Sequence, residues 1–389
     1  MASIRARLLY PDAFCHAMRP CSSVVQGSGG GAEALGDVGD RPPQLRMPIL
    51  PFKLNQDRRH HIPRQQHRVT NWPAYDASLR QRGSLTVWFT DDAIAGWAAE
   101  PRTTRGGQPL SASLTSLRGI AARWYSPLAI LMALTIRAVF RLAYRQAEGL
   151  LGSIVGLLGL SLRVPDHTTL SRRAATLDVP QPGNADAGAG SEPMHLLVDS
   201  TGLKLCGKGE WLLEKHGTAT RRSWRALHLG VDAGTGWIVA ATLTSKDVDD
   251  ASQTGPLLDQ VAGAVASFTG DGGYDRDRVY DSVAGRHPEA VVVVPPRASA
   301  VPSDTAETAP TQRDGHLQHI AEHGRMAWQN ASGYNRRARV EATMNRWKQV
   351  IGDELRAHTD ERRATEVAVA VHALNRMLEF GRPSYVRVA

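Results

Sequence analysis

The chain has 389 residues, 42% of them hydrophobic, which is enough for two domains with real cores, and it carries a formal net charge of +8. With a pI of about 9.7, that balance favours a polyanionic partner, most simply nucleic acid. Three scattered cysteines, Cys15, Cys21 and Cys206, exclude a disulfide framework. The most apolar stretch, 127–162, is broken by Arg137, Arg141, Arg145 and Glu148, so no transmembrane helix or membrane partner is expected, and a reducing, cytoplasmic location is.

Residues 1–46 are rich in Gly, Pro and small residues without periodicity; they are expected to be disordered or an over-extended start, with Met47 a more natural beginning. A basic run follows, with Lys53, Arg58, Arg59, Arg64 and Arg68, which reads equally well as a phosphate-binding arm or a solvated tail. Trp72, Tyr75, Leu79, Trp88 and Trp97 suggest a short helix, a turn at Gly83 and a second packed piece. Residues 101–110 read as a loop. From Tyr125 to Leu177 the pattern is helical: an amphipathic helix over 128–144, a second over 145–160, then a short helix opened by an N-cap at Asp166 or Thr168. Thr168, Thr169, Ser171, Arg172 and Arg173 at the start of that helix are candidates for base-edge and phosphate contact in a helix-turn-helix; a plain helical bundle with a solvated face is the alternative. Residues 47–180 are therefore expected to be a mostly helical domain, DNA-binding on the first of these readings.

A Pro/Gly/Ala linker over 181–192 marks the boundary to a second domain over 193–380, followed by a tail over 381–389. Met194–Val198 is an apolar strand ending at Asp199. Arg225–Val231 and Trp237–Leu243 flank Asp232-Ala-Gly-Thr-Gly236 as a hairpin, and Asp232 reads as a turn former. Residues 250–265 are expected to be helical, Val265–Phe268 leads to Asp271, and Ala290–Val294 is another buried strand. Pro295–Gly333 is loop-rich with some helix over 317–322, then comes a helix bearing Glu341 and a last amphipathic helix over 366–380. That succession of strand, hairpin, helix, strand, helix, strand and helix is an RNase H-like order. Asp247, Asp249 and Asp250 read as helix caps, Asp275 as support behind Asp271, and Trp328 as a packing residue more than a stacking platform. Lys204–Lys208 lacks the spacing of a phosphate-binding loop, and Cys206 and His216 lack metal partners, so all are read as structural.

Tyr334, Arg337, Glu341 and Lys348 follow one another at intervals of three, four and seven residues. At about 100° per residue, Arg337 and Glu341 differ by roughly 40° and Glu341 and Lys348 by roughly 20°, so one helix would present all four on one side. By itself this is an ordinary salt-bridged helix face, stabilising by a few tenths of a kcal/mol. Asp199 and Asp271, each expected at the end of a buried strand, give Glu341 company: two aspartates and a glutamate can hold two divalent cations, and oxygen-only ligands favour Mg²⁺ or Mn²⁺.

These pieces resemble the DDE transposases of bacterial insertion sequences, in the group with a Tyr-Arg-Glu-Lys signature. The resemblance is carried by Asn71-Trp72, Arg82-Gly83, Tyr125-Ser126, Arg145-Gln146-Ala-Glu148-Gly149, Pro165-Asp166-His-Thr-Thr-Leu-Ser171-Arg172-Arg173, Val198-Asp199-Ser200-Thr201-Gly202, Asp271-Gly-Gly-Tyr274-Asp275 and the Tyr334 constellation. It spans about residues 50–387; residues 1–46 and a stretch near 111–124 have no counterpart in it. It implies an α/β RNase H-like catalytic core preceded by an all-α helix-turn-helix-like DNA-binding domain. It implies Asp199, Asp271 and Glu341 as the catalytic and metal-binding triad for two Mg²⁺ or Mn²⁺ ions, with Tyr334, Arg337 and Lys348 on transposon-end phosphates. The expected substrate is double-stranded DNA, both terminal inverted repeats and target, and the expected assembly is a homodimer joining two ends. A metal-dependent nuclease without strand transfer and a catalytically decayed DNA-binding protein are the competing readings.

Overall fold

The structure is a computed structural model that describes residues 66–84, 88–99, 124–180, 192–205 and 224–388. The expected disorder of 1–46, most of the basic run, the loop over 101–110, the unmatched stretch as far as 123, nearly all of the linker, Cys206, Lys208 and His216 lie outside those residues.

The described chain starts with β1 (Gln66–Val69) and α1 (Trp72–Arg82), which carries Pro73 in its first turn, where a missing amide costs nothing. A short α2 (Asp91–Ala95) is capped by Thr90, whose side chain accepts from the Ala93 amide at 3.3 Å. Then come α3 (Pro127–Val139), α4 (Tyr144–Leu157) and α5 (His167–Arg173). The amphipathic pattern expected of α3 is not what its packing uses: Ala129 through Arg137 are all buried, because α3 is the central helix of its cluster. Arg137 is accommodated there by stacking its guanidinium 4.2 Å from the Tyr144 ring centroid.

Next are β2 (Met194–Leu205), β3 (Trp224–Asp232), β4 (Ile238–Ser245), α6 (Thr254–Leu258), β5 (Val265–Thr269), α7 (Asp277–Arg286) and β6 (Val291–Val293). The helix expected over 250–265 is only a 3₁₀ turn over Asp250–Gln253 and α6; Gly255 and Pro256 leave little propensity for more. After β6 follow α8 (Gln312–His323), α9 (Arg325–Ala331), a 3₁₀ turn over Tyr334–Arg337, α10 (Ala338–Val350), β7 (Glu354–Leu355), α11 (Asp360–Glu379) and β8 (Tyr385–Val388).

The main sheet runs β4-β3-β2-β5-β6, with β7 pairing the far end of β2. β2, β3 and β4 are antiparallel, as the hairpin signals predict, and β5, β6 and β7 run parallel to their neighbours. The strand order and directions match the RNase H-like order read from the sequence. Alternation along β2 splits its residues between two layers. Leu196 and Val198 join a core with β5, β6, α6 and α7, while Leu197 and Leu203 face α10 and α11.

α11 contributes to both sides: Val367, Ala370, Val371 and Leu374 pack on the sheet, and Val369 and Met377 enter the cluster built on α3. The helical part and the sheet thus share a helix as a common wall. Arg141, in the turn between α3 and α4, has a left-handed backbone (φ 54°), and its guanidinium donates to the carbonyls of Lys348 (3.3 Å), Gln349 (2.6 Å) and Val350 (3.4 Å). It therefore caps the C-terminal end of α10 with a cation, where the helix dipole favours one. Four of the residues expected as a tail form β8, which pairs antiparallel with β1, the first described strand.

Candidate active site

Asp199 is placed differently from the expectation that it ends its strand. It lies in the middle of β2, paired with Leu229 of β3, and the strand continues to Leu205. What ends beside it is β5: its pairing with β2 stops at Leu197–Thr269. The open side of β2 is thereby freed at the residue where a carboxylate stands. Asp199 is in phase with Leu197 and Leu203, so its side chain takes the layer facing α10.

Asp271 follows β5 directly and caps a tight 3₁₀ turn over Gly272–Tyr274 by accepting the Gly273 amide on Oδ1 at 2.8 Å. Two glycines are required here by space. A Cβ on Gly270 would lie 2.8 Å from Cδ2 of Tyr274, and one on Gly273 would lie 2.9 Å from Oδ1 of Asp271. Tyr274 is fully buried, with its ring edge-on to Phe268, and fills the space beneath the turn. Behind it, Asp275 has a fully enclosed side chain and supports the loop as the sequence suggested: Arg313 binds it through two nitrogens at 2.7 and 3.3 Å, and the Arg297 amide donates to it at 2.9 Å. Arg297 also donates to the carbonyls of Gly272 (3.2 Å) and Gly273 (3.4 Å). These two arginines carry no motif signal, and only the fold reveals them. Replacing Gly273 by Ala must push the Asp271 carboxylate aside; we expect weaker binding of Mn²⁺ by the free protein, read by metal titration, with an unchanged circular dichroism spectrum.

The four residues at the constellation are not on one α-helix. Tyr334 and Arg337 lie on the 3₁₀ turn, launched by left-handed Gly333, and Glu341 and Lys348 lie on α10. The turn nevertheless brings Arg337 to the carboxylates. Its Nη2 is 2.8 Å from Oδ2 of Asp199 and 3.9 Å from Oδ2 of Asp271, and its Nη1 is 2.5 Å from Oε1 of Glu341. Residues from β2, the end of β5 and α10 thus converge on one guanidinium, itself only 17% exposed.

Burial pushes the Asp199 carboxyl above its ordinary range; Arg337 and the Ser200 amide oppose this, and Asp271 and Glu341 add to it. Burial also raises the Tyr334 phenol, with the three carboxylates adding and Arg337 opposing, so Tyr334 is a neutral hydroxyl at neutral pH. Its ring lies 5.5 Å from that of Trp328, which is 1% exposed and donates its indole N–H to Nδ1 of His316 at 3.0 Å. His316 Nε2 lies 2.7 Å from the Val292 carbonyl, so it must carry the proton, and the imidazole is fixed as one neutral tautomer. Trp328 is a packing residue, as expected. Lys348 is exposed two turns beyond Glu341.

The donor set fits a hard divalent cation: three carboxylates and no sulfur or imidazole. Among the described residues no three Asp, Glu, His or Cys side chains close into a ligand group, because Arg337 stands between these three.

The helix-turn-helix expectation needs correction at α5. Asp166 is the N-cap, with Oδ1 accepting the amides of Thr168 and Thr169, both at 2.9 Å. Thr169 is completely buried and donates its hydroxyl to Asp166 at 2.8 Å, so it serves the cap and is out of reach of a base. Ser171 and Arg173 are half-buried; the Ser171 carbonyl accepts from Arg362 at 3.0 Å and Arg173 donates to the Tyr125 carbonyl at 3.4 Å. Only Thr168 and Arg172 are exposed, one turn apart. The connector from α4 runs over 158–166, much longer than the 3–4 residues typical (roughly) of a helix-turn-helix. Glu148 of α4 ties α5 in place by accepting the His167 amide at 2.9 Å and contacting its Nδ1 at 2.8 Å.

Two family models, both described as a transposase DDE domain, match this chain, one over residues 80–208 and the other over 190–376. The chain belongs to the DDE transposase superfamily. The three carboxylates converging on Arg337 all lie inside the matched residues of this transposase. Among solved structures, a piggyBac transposase in a synaptic complex with hairpin DNA is similar at 12% identity and a TM-score of 0.37, over 81% of this chain and 77% of that one.

Proposed function

We propose that this transposase binds the ends of an insertion sequence and catalyses metal-dependent strand cleavage followed by strand transfer, and that it belongs to the group with the Tyr-Arg-Glu-Lys signature. The observation that carries the reading is the convergence of Asp199, Asp271 and Glu341, from three separate elements, on one point beside the end of β5. Asp199, Asp271 and Glu341 would hold two divalent cations, Mg²⁺ or Mn²⁺, which when bound would supply Lewis-acid activation for an in-line displacement at phosphorus. Asp199, on a central strand, is the rigid member; Asp271 keeps Oδ2 available because the Gly273 amide engages Oδ1. Glu341, 58% exposed, is the one that adjusts as DNA enters.

Arg337 leaves the carboxylates when a phosphate arrives and pairs with it through its planar fork, while Lys348 offers a point charge further along the backbone. Tyr334, neutral and held on Trp328, donates its hydroxyl to phosphate and is no nucleophile. Thr168 and Arg172, the exposed members of the α5 candidates, would be its DNA contacts, the Thr168 hydroxyl turning from Asp166 to do so. Two copies acting on two ends would make a homodimer.

The test is to incubate the full chain and Mg²⁺ with labelled duplex taken from the DNA flanking its coding sequence, together with a target plasmid. Cleavage at the element end and joining to plasmid are expected. Cleavage without joining would make it a nuclease, and binding without cleavage a decayed DNA-binding protein.

A further inference from the structure

Four arginines gather on the side of α10 turned away from the triad. Arg339 and Arg346 stand two turns apart and within about 20° of each other, each roughly 140–160° round the helix from Glu341. Arg339 donates to the Ala233 carbonyl in the β3–β4 turn, and Arg382 donates to the next two carbonyls of that turn, Gly234 (2.9 Å) and Thr235. Arg82, at the end of α1, donates to the carbonyl of Gly381, the neighbour of Arg382, at 2.7 Å. Arg346 lies close enough to Arg82 to feel its charge, and among the described residues its Nε and Nη2 are enclosed without a hydrogen-bond partner, as is Nε of Arg82. Among the described residues none of the four is paired with a carboxylate. Asp232, in the same turn, commits its oxygens to the Gly234 and Thr235 amides at 3.0 and 2.8 Å and to the Thr235 hydroxyl.

Such an arrangement is costly for the free protein. Carbonyl dipoles compensate three of the cations, whereas no hydrogen-bond partner for Arg346 Nε or Nη2 is found among the described residues: burial, then Arg82, hold its pKa down to about 10, so it is still charged at neutral pH. Half-buried like charges repel through a medium that screens them less than water does. Arg339 and Arg382 are exposed, so their guanidiniums have free donors on the solvent side, while Arg82 and Arg346 add field from below.

We propose that Arg339 and Arg382, backed by Arg82 and Arg346, form a second phosphate-backbone surface for duplex DNA, separate from the triad and on the opposite side of α10. It rests on the transposase reading for the identity of the polyanion; the unpaired charge itself does not depend on that reading. The surface contributes affinity and register on DNA away from the scissile bond, because phosphate contacts position a duplex without reading its sequence.

The experiment measures equilibrium binding of the full chain to labelled flanking duplex, without divalent metal, across a series of salt concentrations. Each phosphate contact adds roughly 0.9 to the slope of log K against log salt. The double substitution Arg339→Ala with Arg382→Ala is expected to make the slope shallower by about 2 and to weaken binding by at least about tenfold at low salt. Arg339→Lys with Arg382→Lys, which keeps both charges, is expected to preserve the slope and shows that the fold is intact. An unchanged slope in the alanine variant, beside a wild-type chain that binds duplex, overturns this surface and leaves the transposase reading standing. A loss confined to single-stranded RNA of equal length also overturns it. Failure of the wild-type chain to bind any duplex overturns both.

Discussion

Glu341→Gln and Asp199→Asn are each expected to lower metal-dependent DNA cleavage by about 10³-fold or more, the scale on which a single charged transition-state partner acts. Both changes keep shape and remove only a negative oxygen. Each also leaves Arg337 with fewer partners, since it contacts Asp199 at 2.8 Å and Glu341 at 2.5 Å. The loss must therefore be separated from misfolding. The check is a gel assay of labelled duplex with Mg²⁺ and Mn²⁺, alongside duplex binding without metal. Cleavage should vanish while binding persists. As a control, Glu322→Gln on α8, an exposed carboxylate away from the triad, should cleave normally. Residual cleavage above about a tenth of wild type in the Glu341 variant would remove this residue from the mechanism.

Arg337→Ala is expected to have opposite effects on metal binding and on DNA binding. The guanidinium lies among all three carboxylates and competes for the place a cation would take. A unit charge about 4 Å away interacts by about 1–4 kcal/mol between the water and protein-surface limits, so its removal should tighten Mn²⁺ binding by the free protein by about tenfold or more. The sign survives the accompanying shift in Asp199. Arg337 holds that pKa down against burial, so the variant's carboxyl titrates higher, and the gain in metal affinity should fade at acid pH before it fades at neutral pH. Duplex binding should weaken in the same variant, because Arg337 is also the residue that would pair with phosphate. Electron paramagnetic resonance titration of Mn²⁺ reads the first effect and a filter-binding series the second. Equal Mn²⁺ affinity in the two proteins would mean that Arg337 is not in competition with the metal.

Much of the catalytic half was legible because its signals are local. Asp232-Ala-Gly-Thr-Gly236 is a turn whose chemistry is complete within a few residues, and β3 and β4 pair around it as expected. The strand leading to Asp271 was expected, but the tight turn that follows it was not; the structure shows why glycines flank it, since Tyr274 and the Asp271 carboxylate leave no room for a Cβ. The helical half was less legible. The pattern Pro165-Asp166-His-Thr-Thr signals an N-cap, which is present, but a cap uses the same threonines that a recognition helix would present. Composition cannot distinguish Thr169 bonded to its own cap from Thr169 facing DNA. α3 misled for a related reason: its period marks one apolar face, whereas its neighbours on every side make it a fully buried helix.

The sequence by itself determined the hairpin and the strands that lead to Asp199 and Asp271, since each depends on neighbours along the chain. The tertiary structure alone decided that Asp199 sits mid-strand at the point where β5 stops, that Arg337 rather than solvent fills the space between the three carboxylates, and that Arg141 fastens the helical part to the end of α10. Those outcomes depend on which residues far apart in the chain occupy the same few ångströms, and spacing along one element carries no record of that.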